Sequence, residues 1–274
     1  MLRALAIATL AAACCTVPCR AQTAPSTPVQ ALFAARVVDV PTRPGVTERV
    51  LFLAPAAPKA AAMLFAGGNG YVGINADGTL VNGGNFLVRT RATFAARDVA
   101  VAVVDPPSDR LRPPYLGGFR QSAEHVADVR EVIAWLRAQT HVPVWLIGTS
   151  RGTQSAAYVA TQLPTPAAGG ADGVVLTSTI LAGSNAKDRS VPEMQLDRIA
   201  VPVLVVHHRR DGCALCPFAD IPRVTAALRA SPRTETIAFD GGTTTGDPCQ
   251  AFAYHGFNGI EPQAVAAIAD WITR

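Results

Sequence analysis

The stretch VPVWLIGTSRG, residues 142–152, decides how the rest of the chain is read. Its first residues form an apolar run without the alternation of a half-exposed strand, which predicts a strand buried on both faces. The run breaks at Gly148-Thr149-Ser150-Arg151-Gly152, and a helical pattern follows from Ser150 to about Gln162. Strand, tight turn and helix in that order is the setting that lifts a serine hydroxyl above a sheet edge. A serine is a poor nucleophile until it is presented sharply and loses its proton to a base. Small residues at 148 and 152 permit such a turn, and the next helix aims N–H groups and its positive dipole end at the same point. The five-residue pattern alone is weak. Its strand–turn–helix context favours Ser150 as a nucleophile over a mere helix N-cap.

The flanking sequence supplies a fold for that strand. Residues 35–40 (ARVVDV) and 48–53 (ERVLFL) alternate and are joined by PTRPG, which predicts a hairpin. Continuous apolar strands are expected at 59–65, 101–105, 172–179, 201–207 and 234–239. Helical spacing appears from Phe86 to Arg97, from about Gln121 to Gln139, and around Val265, Ile268 and Ile272. Non-alternating strands separated by helices imply a mostly parallel sheet of about eight strands covered on both faces, here with an antiparallel N-terminal edge.

The 274 residues are 49% hydrophobic and 16% charged, enough for one large core and too apolar for disorder. Residues 1–21 read as a signal peptide: Arg3, an apolar stretch from Ala4 to Ala13, and small residues before Gln22. Residues 22–34 are expected to be a flexible segment and 35–274 a single domain, exported to the periplasm or secreted. Of the net charge of +4, two positive charges (Arg3, Arg20) lie in the leader. With no Lys/Arg run, nucleic acid is not an expected partner. No later segment is long and apolar enough for stable membrane insertion.

A serine nucleophile needs a histidine base and an acid. His255, in AYHGFNG before the last helix, is the one histidine that follows both Ser150 and a plausible acid. His125 and His141 precede Ser150, and His207 and His208 end a strand. Asp211 lies in the loop after that strand, where a carboxylate can orient an imidazole. Asp240 is the second choice, and Asp220 and Asp247 read as solvated. Oxyanion donors are expected from the Arg151 N–H and from the loop Gly67-Gly68-Asn69-Gly70, with Gly68 and Asn69 preferred.

Together the GTSRG turn, the AGGNG loop, Asp211 and His255 resemble the α/β-hydrolase superfamily over the whole chain after the leader. They look closest to small bacterial dienelactone-hydrolase-like and esterase-like members. The resemblance implies a serine hydrolase acting on a small-molecule ester through an acyl-enzyme, with neither cofactor nor metal. GGNG stands where related lipases commonly carry HGGG, which departs from the pattern at the second oxyanion donor. The same triad also serves thioesterases, amidases, acyltransferases and peptidases, and a non-catalytic exported binding protein could retain the fold.

Six cysteines reduce to Cys213, Cys216 and Cys249 beyond the leader, and counting does not pair them. A Cys213–Cys249 bridge would tie the acid and histidine loops, as in extracellular polyester-degrading members that this chain resembles. A Cys213–Cys216 redox pair, or zinc held with His207 or His208, is the competing reading. The Pro/Gly-rich loop 106–120 is expected either to wall the substrate pocket, through Tyr115 or Phe119, or to be a rigid surface loop. Whether its Arg110, Arg112 or Arg120 selects an anionic substrate stays open. Residues 181–199 occupy the cap position but are too short for a large lid, so the cap is expected to be minimal.

Overall fold

The chain's physical pattern produces one twisted sheet with a core on each face. A computed structural model describes residues 33–183 and 187–274. The signal peptide expected at 1–21, and all of the segment 22–34 except its last two residues, lie outside the described residues. The strands are β1 (Arg36–Pro41), β2 (Thr47–Leu53), β3 (Ala60–Phe65), β4 (Val99–Val104), β5 (Val144–Thr149), β6 (Gly173–Thr177), β7 (Val203–His208) and β8 (Thr234–Phe239). They pair in the order β1-β2-β4-β3-β5-β6-β7-β8. The β1–β2 hairpin sets Val38 opposite Val50 and joins β4 antiparallel; every other pairing is parallel.

Successive residues of a strand point to opposite faces, and both faces are covered. In β3, Ala61, Met63 and Phe65 enter one core while Ala60, Ala62 and Leu64 enter the other. The first core is completed by α3 (Ala123–Thr140), α4 (Gly152–Gln162) and α5 (Ile221–Thr225). The second is completed by α1 (Phe86–Arg89), α2 (Arg91–Ala95) and α6 (Glu261–Ile272). This two-sided burial is why the central strands lack alternation. By contrast, β8 is an edge strand, and its first three residues are exposed.

Two local outcomes follow from side-chain chemistry. The helix expected from Phe86 to Arg97 is two short helices, because Thr90 interrupts it and its hydroxyl donates back to the Phe86 carbonyl at 2.7 Å. Helix α3 begins at Ser122, whose Oγ accepts from the His125 N–H, and ends at His141 in the left-handed region. Between β6 and β7 the described residues form only short 3₁₀ turns at Val191–Glu193 and Leu196–Arg198. Val191, Leu196 and Ile199 pack down onto the α4 side, so no lid helix arises among the described residues of this segment.

The hairpin is fastened to α3 by charge. Arg43, in the β1–β2 turn, donates to both carboxylate oxygens of Asp128 at 2.8 and 3.0 Å, and to Asp109. The Asp128 side chain is fully buried, so losing the cation strands a charge in the interior. Arg43→Met is expected to lower the unfolding free energy by about 3 kcal/mol, measurable as a shift in the urea midpoint without a change in slope.

Candidate active site

Strand β5 delivers Ser150 through a turn that only small residues tolerate. Ser150 has φ 54°, in the left-handed region, a strain of about 1–3 kcal/mol that the surroundings must hold. A Cβ on Gly148 would run into the Gly152 carbonyl, and one on Gly152 into the Phe65 carbonyl. The turn is pinned from β6: the Ser150 N–H donates to the Thr177 carbonyl, and the Thr177 hydroxyl donates to the Gly148 carbonyl, both at 3.0 Å. From α4, Thr153 donates to the Ser150 carbonyl at 2.6 Å.

Asp211 and His255, 44 positions apart, meet beside this turn. His255 Nδ1 lies 2.9 Å from Asp211 Oδ2, and the other carboxylate oxygen accepts the Cys213 N–H at 2.9 Å. The Asp211 side chain is wholly buried, and 5% of the His255 side chain is exposed. With Nδ1 donating to the carboxylate, His255 Nε2 keeps its lone pair; it is buried and has no partner among the described residues. That is the electronic arrangement of a general base awaiting a proton. Asp240, the second-choice acid, instead pairs with Arg209 in solvent.

The histidine loop is held at several points. Ser178 donates to the His255 carbonyl at 2.6 Å, and Arg89 donates to the Ala251 and Gly256 carbonyls while pairing with Glu261. His208 stacks on Tyr254 with ring centres 4.4 Å apart, and its Nε2 faces the Gly241 carbonyl at 3.0 Å. A disulfide joins Cys213 to Cys249. It occupies the Cys213 sulfur that a Cys213–Cys216 pair or a zinc site would need. Cys216 remains a free buried thiol that donates to the Ser178 carbonyl, and burial raises its pKa well above the usual range.

Ser150, Arg151, Gly67, Gly68, Asn69 and His255 all line one cleft of about 600 Å³. The site of a Cβ on Gly67 lies 3.0 Å from Ser150 Cβ, so the loop after β3 runs against the turn. The N–H groups of Gly67, Gly68, Asn69 and Arg151 have no acceptor among the described residues. Beneath the loop, buried Arg120 donates to the Ala66 carbonyl (3.1 Å), the Gly68 carbonyl (3.4 Å) and Ser155 Oγ (2.8 Å). Burial lowers the Arg120 pKa to about 9, with Asp188 opposing the fall and Arg151 adding to it. His125 shares the Ser155 hydroxyl at 3.0 Å, and burial lowers its pKa to about 3, leaving it neutral.

No family model and no curated protein matches the chain, whereas solved structures do. A dienelactone hydrolase from Anabaena variabilis superposes with TM-score 0.59 at 15% identity, covering 88% of this chain and 95% of that one. An esterase from Pyrococcus furiosus gives TM-score 0.62 at 13% identity, with coverages of 90% and 95%. A Xanthomonas campestris α/β serine hydrolase without lid gives 0.51 at 15%, covering 86% and 94%. The chain has the α/β-hydrolase fold. At such identities the likeness establishes architecture, and the chemistry is read from this chain's own residues.

Within the α/β-hydrolase fold, the loop 106–120 lies differently from one expectation. Phe119 does not reach the cleft: it is buried against His125, ring centres 5.6 Å apart, beneath the Arg110 guanidinium. The cause is the Leu116 N–H, which donates to the Asn69 carbonyl and folds the segment behind the loop after β3. Tyr115 is likewise outside the lining and stacks at 4.6 Å on Tyr71, which does line the cleft. Arg110, Arg112 and Arg120 are also absent from the lining. Tyr71, Asn85 and Phe252 are among the lining residues that the sequence did not single out. Asn85 caps α1 through Oδ1, which turns Nδ2 toward Gly67. An Asn following glycines was the available signal; for exposed Phe252 there was none.

The bridge closes a segment of 36 residues, worth about 4 kcal/mol in chain-entropy terms. Cys249→Ser is expected to lower the unfolding free energy by roughly 3–4 kcal/mol. Urea unfolding of the variant, beside the parent with and without reductant, measures it.

Proposed function

We propose that the protein is an exported serine hydrolase that cleaves carboxylic esters of small molecules through an acyl-enzyme. Ser150 is the nucleophile, His255 the base and Asp211 the residue that orients it. The reading rests on one observation above all: a buried His255 Nε2 without a partner among the described residues, backed by Asp211, in the same cleft as a serine at φ 54°.

In this mechanism His255 Nε2 takes the Ser150 proton as Oγ attacks the ester carbonyl. The developing oxyanion is received by the Arg151 N–H and by Gly68 or Asn69, with Gly67 placed to share the role. His255 then protonates the departing alcohol, and activates the water that releases the acid. Asp211 keeps the imidazole in the required tautomer and stabilises the imidazolium. The fold of the neighbours, several of them described as esterases or dienelactone hydrolases, supports hydrolysis as the reaction class. Export is supported by the Cys213–Cys249 disulfide and the sequence of residues 1–21. No described helix is long and apolar enough to cross a membrane.

Treatment with a fluorophosphonate is expected to add one adduct to the parent and none to Ser150→Ala, read by intact mass. The same spectrum reports loss of residues 1–21 from protein recovered outside the cytoplasm. Turnover of p-nitrophenyl esters should fall by at least about 10³-fold in Ser150→Ala. A parent that is neither labelled nor active on esters, thioesters or amides would overturn the proposal. Preference for a thioester or amide in that panel would replace the ester assignment alone.

A further inference from the structure

We infer that the substrate ester carries a carboxylate that pairs with the Arg151 guanidinium beside the scissile bond. The inference names the substrate class of the site proposed above and rests on that reading.

Arg151 is half-buried in the lining of the Ser150 cleft, and among the described residues its side chain has no hydrogen bond, ion pair or ring contact. Other arginines are committed elsewhere. Arg89 is paired with Glu261 and backbone carbonyls, Arg209 pairs with Asp240, Arg210 lies over the Tyr254 ring, and Arg120 is committed beneath the loop after β3. Among the described residues no Asp or Glu lines the cleft. Asp211, behind His255, is fully buried and has both oxygens engaged.

The charge of Arg151 also acts on Arg120 under the loop. The nucleophile side of the cleft therefore carries two like charges, with Asp188 opposing the deeper one. The N-terminal end of α4 adds to the same sign. An unneutralised guanidinium in a partly desolvated cleft attracts an anion, and its planar fork matches a carboxylate through two parallel hydrogen bonds. Because Arg151 directly follows the nucleophile, the carboxylate it can reach lies only a few bonds from the reacting carbonyl. Leu215 and Phe252, the latter 52% exposed, supply apolar surface in the same lining for the uncharged part.

Two matched pairs of esters test this on the full mature chain. Mono-4-nitrophenyl glutarate against 4-nitrophenyl pentanoate places the charge on the acyl side. 4-Carboxyphenyl pentanoate against its methyl ester places it on the alcohol side. In the parent at least one charged ester should have the higher kcat/KM of its pair, through KM. The preference should shrink as ionic strength rises to about 0.5 M. In Arg151→Met the charged-to-neutral ratio should fall about tenfold or more, while Arg151→Lys, which keeps the charge and loses the fork, should retain only part of it. A parent that turns over all four esters without favouring charge, or a ratio unmoved in Arg151→Met, overturns this inference and leaves the esterase reading standing. Absence of both turnover and fluorophosphonate labelling overturns the two together.

Discussion

The constraint on which the site depends is steric: at the end of β5 the backbone doubles back so tightly that neither Gly148 nor Gly152 has room for a Cβ. The obstruction at Gly152 is the Phe65 carbonyl at the end of β3, so one contact fixes the turn and its distance from the neighbouring strand together. From that spacing follow the φ of Ser150, the start of α4, and the approach of Gly67 to Ser150 Cβ. The strain is held from three sides, by Thr177, by Thr153 and by the packed cores on both faces of the sheet. A backbone position that costs energy to adopt, that of Ser150, is retained because the surrounding structure over-determines it.

The other half of the site is assembled differently. Asp211 and His255 stand on loops after different strands, and loops carry few cores of their own to fix them. Here the work falls to a disulfide, to Arg89 bridging the carbonyls around His255, to Ser178 beneath it and to His208 stacked on Tyr254. These contacts converge on residues 249–256, around the imidazole. Precision of the His255 position thus comes from covalent and polar ties, whereas that of Ser150 comes from backbone packing.

Behind the loop after β3 sits a buried polar group of Arg120, Ser155 and His125. Arg120 satisfies the Ala66 and Gly68 carbonyls, which would otherwise point inward without donors. On the same loop the N–H groups of Gly67, Gly68 and Asn69 have no acceptor among the described residues. Among the described residues of 181–199 there are only short 3₁₀ turns, and the cleft is lined by Tyr71 and Phe252 among others.

The strands and their mostly parallel sheet were legible because burial on both faces removes alternation, as in residues 60–65 and 144–149, and because the β1–β2 pair keeps it. Ser150 was legible because a tight strand–helix turn imposes small residues at fixed local offsets. Asp211 and His255 were named from chain order, but their 2.9 Å contact is a long-range fact that no local pattern encodes. The same holds for the partner of Cys213, for Phe119 packing inward and for Arg120 beneath the loop: each depends on how residues 106–120 and 240–256 return to the sheet. Local periodicity and turn chemistry are written along the chain. Which distant side chains meet, and which face a cleft, is set only when the sheet brings their loops to one edge.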